Sequence, residues 1–153
     1  MSILTIIAGL TAVTYITYAI IKNKGIPDSI SATAYAVKYK KTFTVAMCAV
    51  AALLLPELLN KTNEATQFLP FLAIAGLGAV GLSPDYRNEG KFQHYFGAFL
   101  AATASQLTIA LNDPKYLLGW LLFPIFWGLN GFKNTTFWAE IICFLTMFLY
   151  ILL

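Results

Sequence analysis

Six apolar blocks, at residues 2–21, 42–59, 66–82, 92–111, 115–130 and 135–153, are joined by short polar connections, and this alternation constrains the fold more than any other feature. A membrane-spanning helix needs about 20 predominantly apolar residues, so each block is read as one traverse of a bilayer. The connections carry the chemistry of turns: Gly25, Pro27 and Asp28; Asn60 and Asn63; Ser83, Pro84 and Asp85; Asn112, Asp113 and Pro114; Asn130 and Gly131. Charged residues make up only 11% of the chain, against about 25% in a soluble globular domain. There is too little polar surface to cover a water-soluble globule. The expectation is an all-α polytopic bundle of six spans forming a single domain over residues 1–153. The fifth block is the weakest, because Pro124 interrupts it and its leading linker is very short. It is read as a kinked spanning helix, the alternative being five spans with a re-entrant fifth segment.

The first block contains no Lys or Arg before Lys22. It lacks the basic start of a cleavable signal peptide and is read as a retained helix. Cys48 and Cys143 each lie inside an apolar block and read as small buried residues rather than a disulfide. Lysine and arginine gather on alternate connections. Lys22, Lys24, Lys38, Lys40, Lys41, Arg87, Lys91 and Lys133 fall on one side, and Lys61 and Lys115 on the other. Positively charged loops stay in the cytoplasm, so the odd-numbered loops are expected there and both termini on the outer face.

That threading brings the two most polar stretches, "GIPDSISATAY" and "GLSPDYRNEGKFQHYFGA", to one side of the membrane. In the first, Asp28 or Ser29 after Pro27 is a candidate helix cap, with Ile30, Ala34, Val37 and Lys41 at helical spacing behind it. Ionisable groups inside a bilayer are costly and usually face a bundle interior or a wet cavity. Glu57 and Glu140 are the acids within spans, and Glu140 enters at about the depth of His94. Asp28, Ser29, Ser31, Asp85, Glu89, His94 and Glu140 are therefore the candidate ligand-binding residues of one inward-facing polar pocket, with Tyr35, Tyr86 and Tyr95 on its rim. Asp28 or Ser29 is expected to touch the "SPDYRNEGKFQH" loop while Glu140 supports the first stretch from below.

Other motifs are set aside. "GLGAVG" matches G-x-G-x-x-G, but dinucleotide binding requires a strand-to-helix turn, and this stretch lies inside an apolar block. Its small residues, with Ala75, Ala79, Gly97, Ala101 and Ser105, read instead as a close contact between the third and fourth helices. Gln106 reads as interhelical glue. One His and two distant Cys supply no metal site, no cofactor is expected, and no catalytic residue is assigned. No basic run with interleaved aromatics points to nucleic acid.

The stretches "IPDSISATAYAVKYKKTFT", "GLSPDYRNEGKFQHYFGA" and "NTTFWAEIICFLTMFLYILL" together resemble a family of small uncharacterised six-helix membrane proteins of bacteria and their phages. The resemblance spans nearly the whole chain, and Asp28, Ser29, Ser31, Asp85, His94 and Glu140 occupy its motif positions. It implies the fold and a bacterial inner-membrane location, and no biochemical activity. The leading expectation is a non-enzymatic membrane protein whose cytoplasm-facing pocket binds an ion, a lipid headgroup or a small ligand, with membrane lipids as partners. The alternatives are an oligomeric channel or transporter component, which brings in a homo-oligomer, and a membrane-embedded lipid hydrolase.

Overall fold

A computed structural model describes residues 3–153, and these form an all-α bundle with no strand among them. The helices are α1 (Ile3–Asn23), α2 (Thr33–Ala36), α3 (Lys40–Lys61), α4 (Phe68–Leu82), α5 (Lys91–Asn112), α6 (Leu122–Leu129) and α7 (Thr135–Leu152), with a 3₁₀ run over Pro114–Leu121 before α6. Four helical stretches, Ile3–Asn23, Lys40–Lys61, Glu64–Leu82 and Thr135–Leu152, are long and apolar enough to cross a membrane. The outward surface is apolar as well: Ile3, Leu10 and Ile21 on α1 and Phe92, Phe99 and Leu111 on α5 are all exposed. The chain is thus built for an apolar surrounding.

Helix ends follow local chemistry. At the end of α1, Lys24 adopts a left-handed conformation with φ 56°, Gly25 N–H reaches Ile20 O at 3.2 Å and Lys24 N–H reaches Ile21 O at 3.3 Å. These two bonds satisfy carbonyls that the helix itself leaves open. The same closure ends α6, where Gly131 takes φ 63° and Phe132 N–H bonds Trp127 O at 2.9 Å. The Phe132 ring then packs edge-on against Trp127 at 5.0 Å, the apolar contact that accompanies this motif.

The bundle has two ends that its contacts define. At one end the 24–39 segment and the first residue of α3 meet the 83–90 loop and the start of α7, through Lys40–Asp85, Tyr35–Asp85 and Asp28–Phe137. At the other, Asn112 bonds Asn63 N at 2.8 Å and Thr66 Oγ1 at 3.1 Å, while Tyr150 OH donates to Lys61 O at 3.0 Å. Helices α4 and α5 approach so closely that a Cβ on Gly76 would lie 2.5 Å from Ala101 N and 2.6 Å from Gly97 O. Of the small residues expected to make this contact, Gly76, Ala79, Gly97 and Ala101 do so, whereas Ala75 is exposed and Gly76 takes the closest point in its place. Phe43, Met47, Val50 and Leu54 of α3 fill the centre of the core.

The fifth block departs from the expected kinked helix. Pro124 does not break it; it sits in the first turn of α6, where its missing N–H has no intrahelical partner to lose. The irregular part precedes it. Pro114 opens the 3₁₀ run, and Gly119 packs so near α7 that a Cβ there would meet Thr146 Cγ2 at 2.7 Å. Tyr116 faces Tyr150 at 6.0 Å and Phe126 stacks on Trp138 at 5.4 Å, so residues 116–126 run antiparallel along α7.

Candidate functional site

Residues 25–39 form a strap across one end of the bundle. Pro27 is buried and fixes the entry of the strap, after which Asp28 O accepts a hydrogen bond from Phe137 N at 3.0 Å. That N–H belongs to the first turn of α7, where helices leave donors without internal partners. Two residues on, Ile30 N–H donates to Glu140 Oε2 at 2.5 Å. Asn134 Nδ2 adds bonds to Ile26 O at 3.2 Å and Asp28 Oδ1 at 3.3 Å. Ser29 Oγ accepts from Ala32 N at 2.9 Å and so caps the turn that leads into α2. Helix α2 ends at Ala36 instead of continuing to Lys41, although Ile30, Ala34 and Val37 are buried at the expected spacing.

The strap reaches the 83–90 loop through Tyr35, not through Asp28 or Ser29. Tyr35 OH donates to Asp85 Oδ1 at 3.3 Å and accepts from Arg87 N at 2.8 Å, while the Arg87 guanidinium lies over the Tyr35 ring at 4.5 Å. Lys40 Nζ pairs with Asp85 Oδ1 at 2.6 Å. That ammonium, with help from Asn88 and Tyr35, holds the Asp85 carboxyl below the usual carboxylate range. Sequence reasoning missed Lys40 and Asn134 as the partners of Asp85 and Asp28. Lys40 carried a signal only as one lysine of a cluster, and Asn134 only as the residue that precedes α7.

His94 belongs to a separate cluster. Its Nδ1 lies 3.2 Å from the carbonyl oxygen of Ser83 and 3.3 Å from the hydroxyl, and its ring stacks on Tyr86 at 3.9 Å. The Ser83 hydroxyl is committed to Ala79 O at 2.6 Å. A hydrolytic triad needs a free nucleophile next to a base that a third group orients. Ser83 and His94 instead clamp the end of α4 to the start of α5.

The single pocket expected from the sequence is therefore divided. Glu140 and Ser31 line one cavity of about 260 Å³, enclosed by α3, α4, α5, α7 and Trp120. Its walls are almost wholly apolar, with Phe43, Met47, Leu77, Phe144 and Met147 among them. Asp28 lines a different, polar pocket of about 270 Å³ on the opposite face of the strap, together with Asn23, Tyr35 and Arg87. Asp85 and His94 line neither cavity. Glu89 is exposed in the loop, its N–H bonded to Asp85 O, and Tyr95 lies on the outer surface instead of a rim. The division has a physical cause: the strap descends far enough for Ile30 to reach Glu140, and it forms the wall between the two spaces.

The apolar cavity is half open. Among its lining residues Ala102 of α5 and Thr136 of α7 are exposed, with Ala98 and Ala139 half-buried beside them, so these small side chains of α5 and α7 mark its open side. Further along the same helix pair the gap is closed by Gln106, whose Oε1 accepts from Trp120 Nε1 at 2.9 Å and Thr146 Oγ1 at 3.2 Å. Gln106 is interhelical glue in the literal sense. Among the described residues no group of His, Cys, Asp and Glu is placed to hold a metal ion. No protein-family model, curated protein or solved structure matches this chain.

Proposed function

We propose that the chain is a multi-pass protein of a bacterial cytoplasmic membrane, with six traverses and both termini on the outer face. In this reading it binds an amphiphile at its cytoplasmic end and converts nothing. Its likeness to the six-helix family of bacteria and phages belongs to the same proposal. Two observations favour traverses beyond the four most apolar stretches. Helix α5 turns Gln106, Ser105 and Thr108 inward and Phe92, Phe99, Leu107 and Leu111 outward, so its moderate mean hydropathy conceals an apolar outer face. The fifth segment runs along α7, and a 3₁₀ rise of about 2.0 Å per residue followed by a helical rise of about 1.5 Å gives it a reach of roughly 28 Å, close to the roughly 30 Å hydrocarbon core.

The observation that carries the binding reading is the cavity that opens sideways between α5 and α7 and ends at a carboxyl beneath the strap. Ligand sites are typically concave and mostly apolar, with a few convergent polar groups. A cavity of about 150 Å³ with apolar walls already holds benzene, so one of about 260 Å³ accommodates an alkyl chain. Trp120 in the wall supplies the readout. In nanodiscs, 10-bromodecanol is expected to quench Trp120 saturably, with Trp120→Phe defining the background, and Ala139→Leu to abolish the saturable part. Quenching that rises linearly with probe in both proteins overturns the binding reading. Reporter fusions at Lys41, Arg87 and Lys133 are expected to read as cytoplasmic, and those at Lys61 and Lys115 as external; the reverse pattern overturns the orientation.

A further inference from the structure

Glu140 is an acid without a counter-ion. Its Oε2 accepts from Ile30 N, its Oε1 has no partner, and no cationic side chain pairs with it among the described residues. A charge removed from water costs several kcal/mol unless it is paired, and ionisable groups at membrane depth usually have a partner or a function. The wall beside it holds a second open group. Ser31 is 6% exposed and lines the same cavity, yet its side chain makes no hydrogen bond among the described residues. Glu140 and Ser31 thus line one apolar space, each with hydrogen-bonding capacity that no described residue takes up.

The surroundings narrow the class of occupant. The aromatic rings of Phe43, Phe144 and Trp120 stand in the wall of the same cavity, and aromatic faces attract cations. A carboxylate repels an anionic head such as that of a fatty acid. A hydroxyl head satisfies hydrogen bonds but gives a carboxylate no counter-charge. We infer that the cavity between α5 and α7 binds a single-chain amphiphilic amine, entering sideways from the bilayer, with its protonated head on Glu140 and Ser31 and its chain along the apolar wall. The inference rests on the amphiphile-binding reading above and adds the charge of the head.

The test uses three probes of one chain length, 10-bromodecylamine, 10-bromodecanol and 10-bromodecanoate, against Trp120 fluorescence in zwitterionic nanodiscs at neutral pH. A hydrogen bond to a charged group is stronger than one between neutral partners by an amount that corresponds to about tenfold in affinity or more. The amine is therefore expected to bind wild type at least about tenfold more tightly than the alcohol, and the decanoate most weakly. Glu140→Gln is expected to bring amine and alcohol to within about twofold of each other while alcohol binding persists. Because the amine-to-alcohol ratio is measured on wild type, the test stands even if the variant misfolds. Equal binding of amine and alcohol to wild type overturns this inference and leaves the binding reading standing. A ratio unchanged in a folded Glu140→Gln protein overturns it too. If no probe quenches saturably, both fall together.

Discussion

The contact between α4 and α5 makes the sharpest test of the packing, because one helix carries its own control. A methyl added at Gly76 would lie 2.5 Å from Ala101 N and 2.6 Å from Gly97 O, both backbone atoms that no rotamer change can move, whereas one at Gly78 meets nothing within 4 Å. Normal carbon contacts fall at about 3.5 Å or beyond, so Gly76→Ala must push the helices apart by roughly 1 Å. A gap of that size forfeits about a quarter to a half of each dispersion contact along the seam. Overpacking of this kind costs about 1–3 kcal/mol, and without a hydrophobic drive between helices in lipid no other term offsets it. Gly78→Ala gains helix propensity and is expected to be neutral or stabilising by up to ~1 kcal/mol. Equilibrium unfolding in mixed micelles measures both. Gly97→Ala meets Gly76 O at 2.8 Å and Ala79 Cβ at 2.9 Å, so it is expected to destabilise as well, and the double variant by less than the two single losses combined, since one separation relieves both clashes. If Gly76→Ala is no less stable than Gly78→Ala, the close approach is not present in the protein.

Gln106→Leu removes the acceptor shared by Trp120 Nε1 and Thr146 Oγ1; the Trp120 donor is left without its partner, and a loss of about 1–3 kcal/mol is expected in the same unfolding assay. Lys24→Gly relieves a left-handed lysine at the end of α1 and is expected to raise stability by ~1 kcal/mol, read as a higher unfolding midpoint. Asp85 is held below the ordinary carboxylate value of 3.8, chiefly by Lys40, so its contribution to stability is present above that value and lost as pH falls through the depressed one. Lys40→Met is expected to flatten that acid limb, with the Asp85 carboxyl titrating closer to its ordinary range by NMR.

The helices were legible because each depends on a local property of its own residues. The block expected at 92–111 is α5 at Lys91–Asn112, and the one at 135–153 is α7 at Thr135–Leu152. Turn residues placed the connections for the same reason: Asn130 and Gly131 end α6 by a backbone conformation that Gly adopts at no steric cost. The fifth block failed at the point where locality ends. Hydropathy cannot tell a 3₁₀ winding from an α-helix, and the run from Pro114 to Leu121 is shaped by the press of Gly119 against Thr146, a contact between residues distant in sequence.

The candidate site shows the same limit at higher resolution. The gathering of the polar stretches at one end was legible from loop charge alone, and Glu140 does meet the strap there, at Ile30 N. What the sequence could not reveal is which partner each polar group takes. Asp85 pairs with Lys40 and Tyr35, His94 with Ser83 and Tyr86, and Asn134 with Ile26 and Asp28. Each of these pairings meets a hydrogen-bonding need within the protein, and a group so partnered has little left to offer a ligand. Ser31 and Glu140 differ in that respect: both stand at the apolar cavity with bonding capacity still open. Of the seven residues that sequence alone singled out, these two keep their chemistry free on the wall of the apolar cavity, and the strap that carries Ser31 is fastened to the carboxylate of the other through its neighbour Ile30. An occupant that engages Glu140 therefore bears directly on the bond that holds the strap in place.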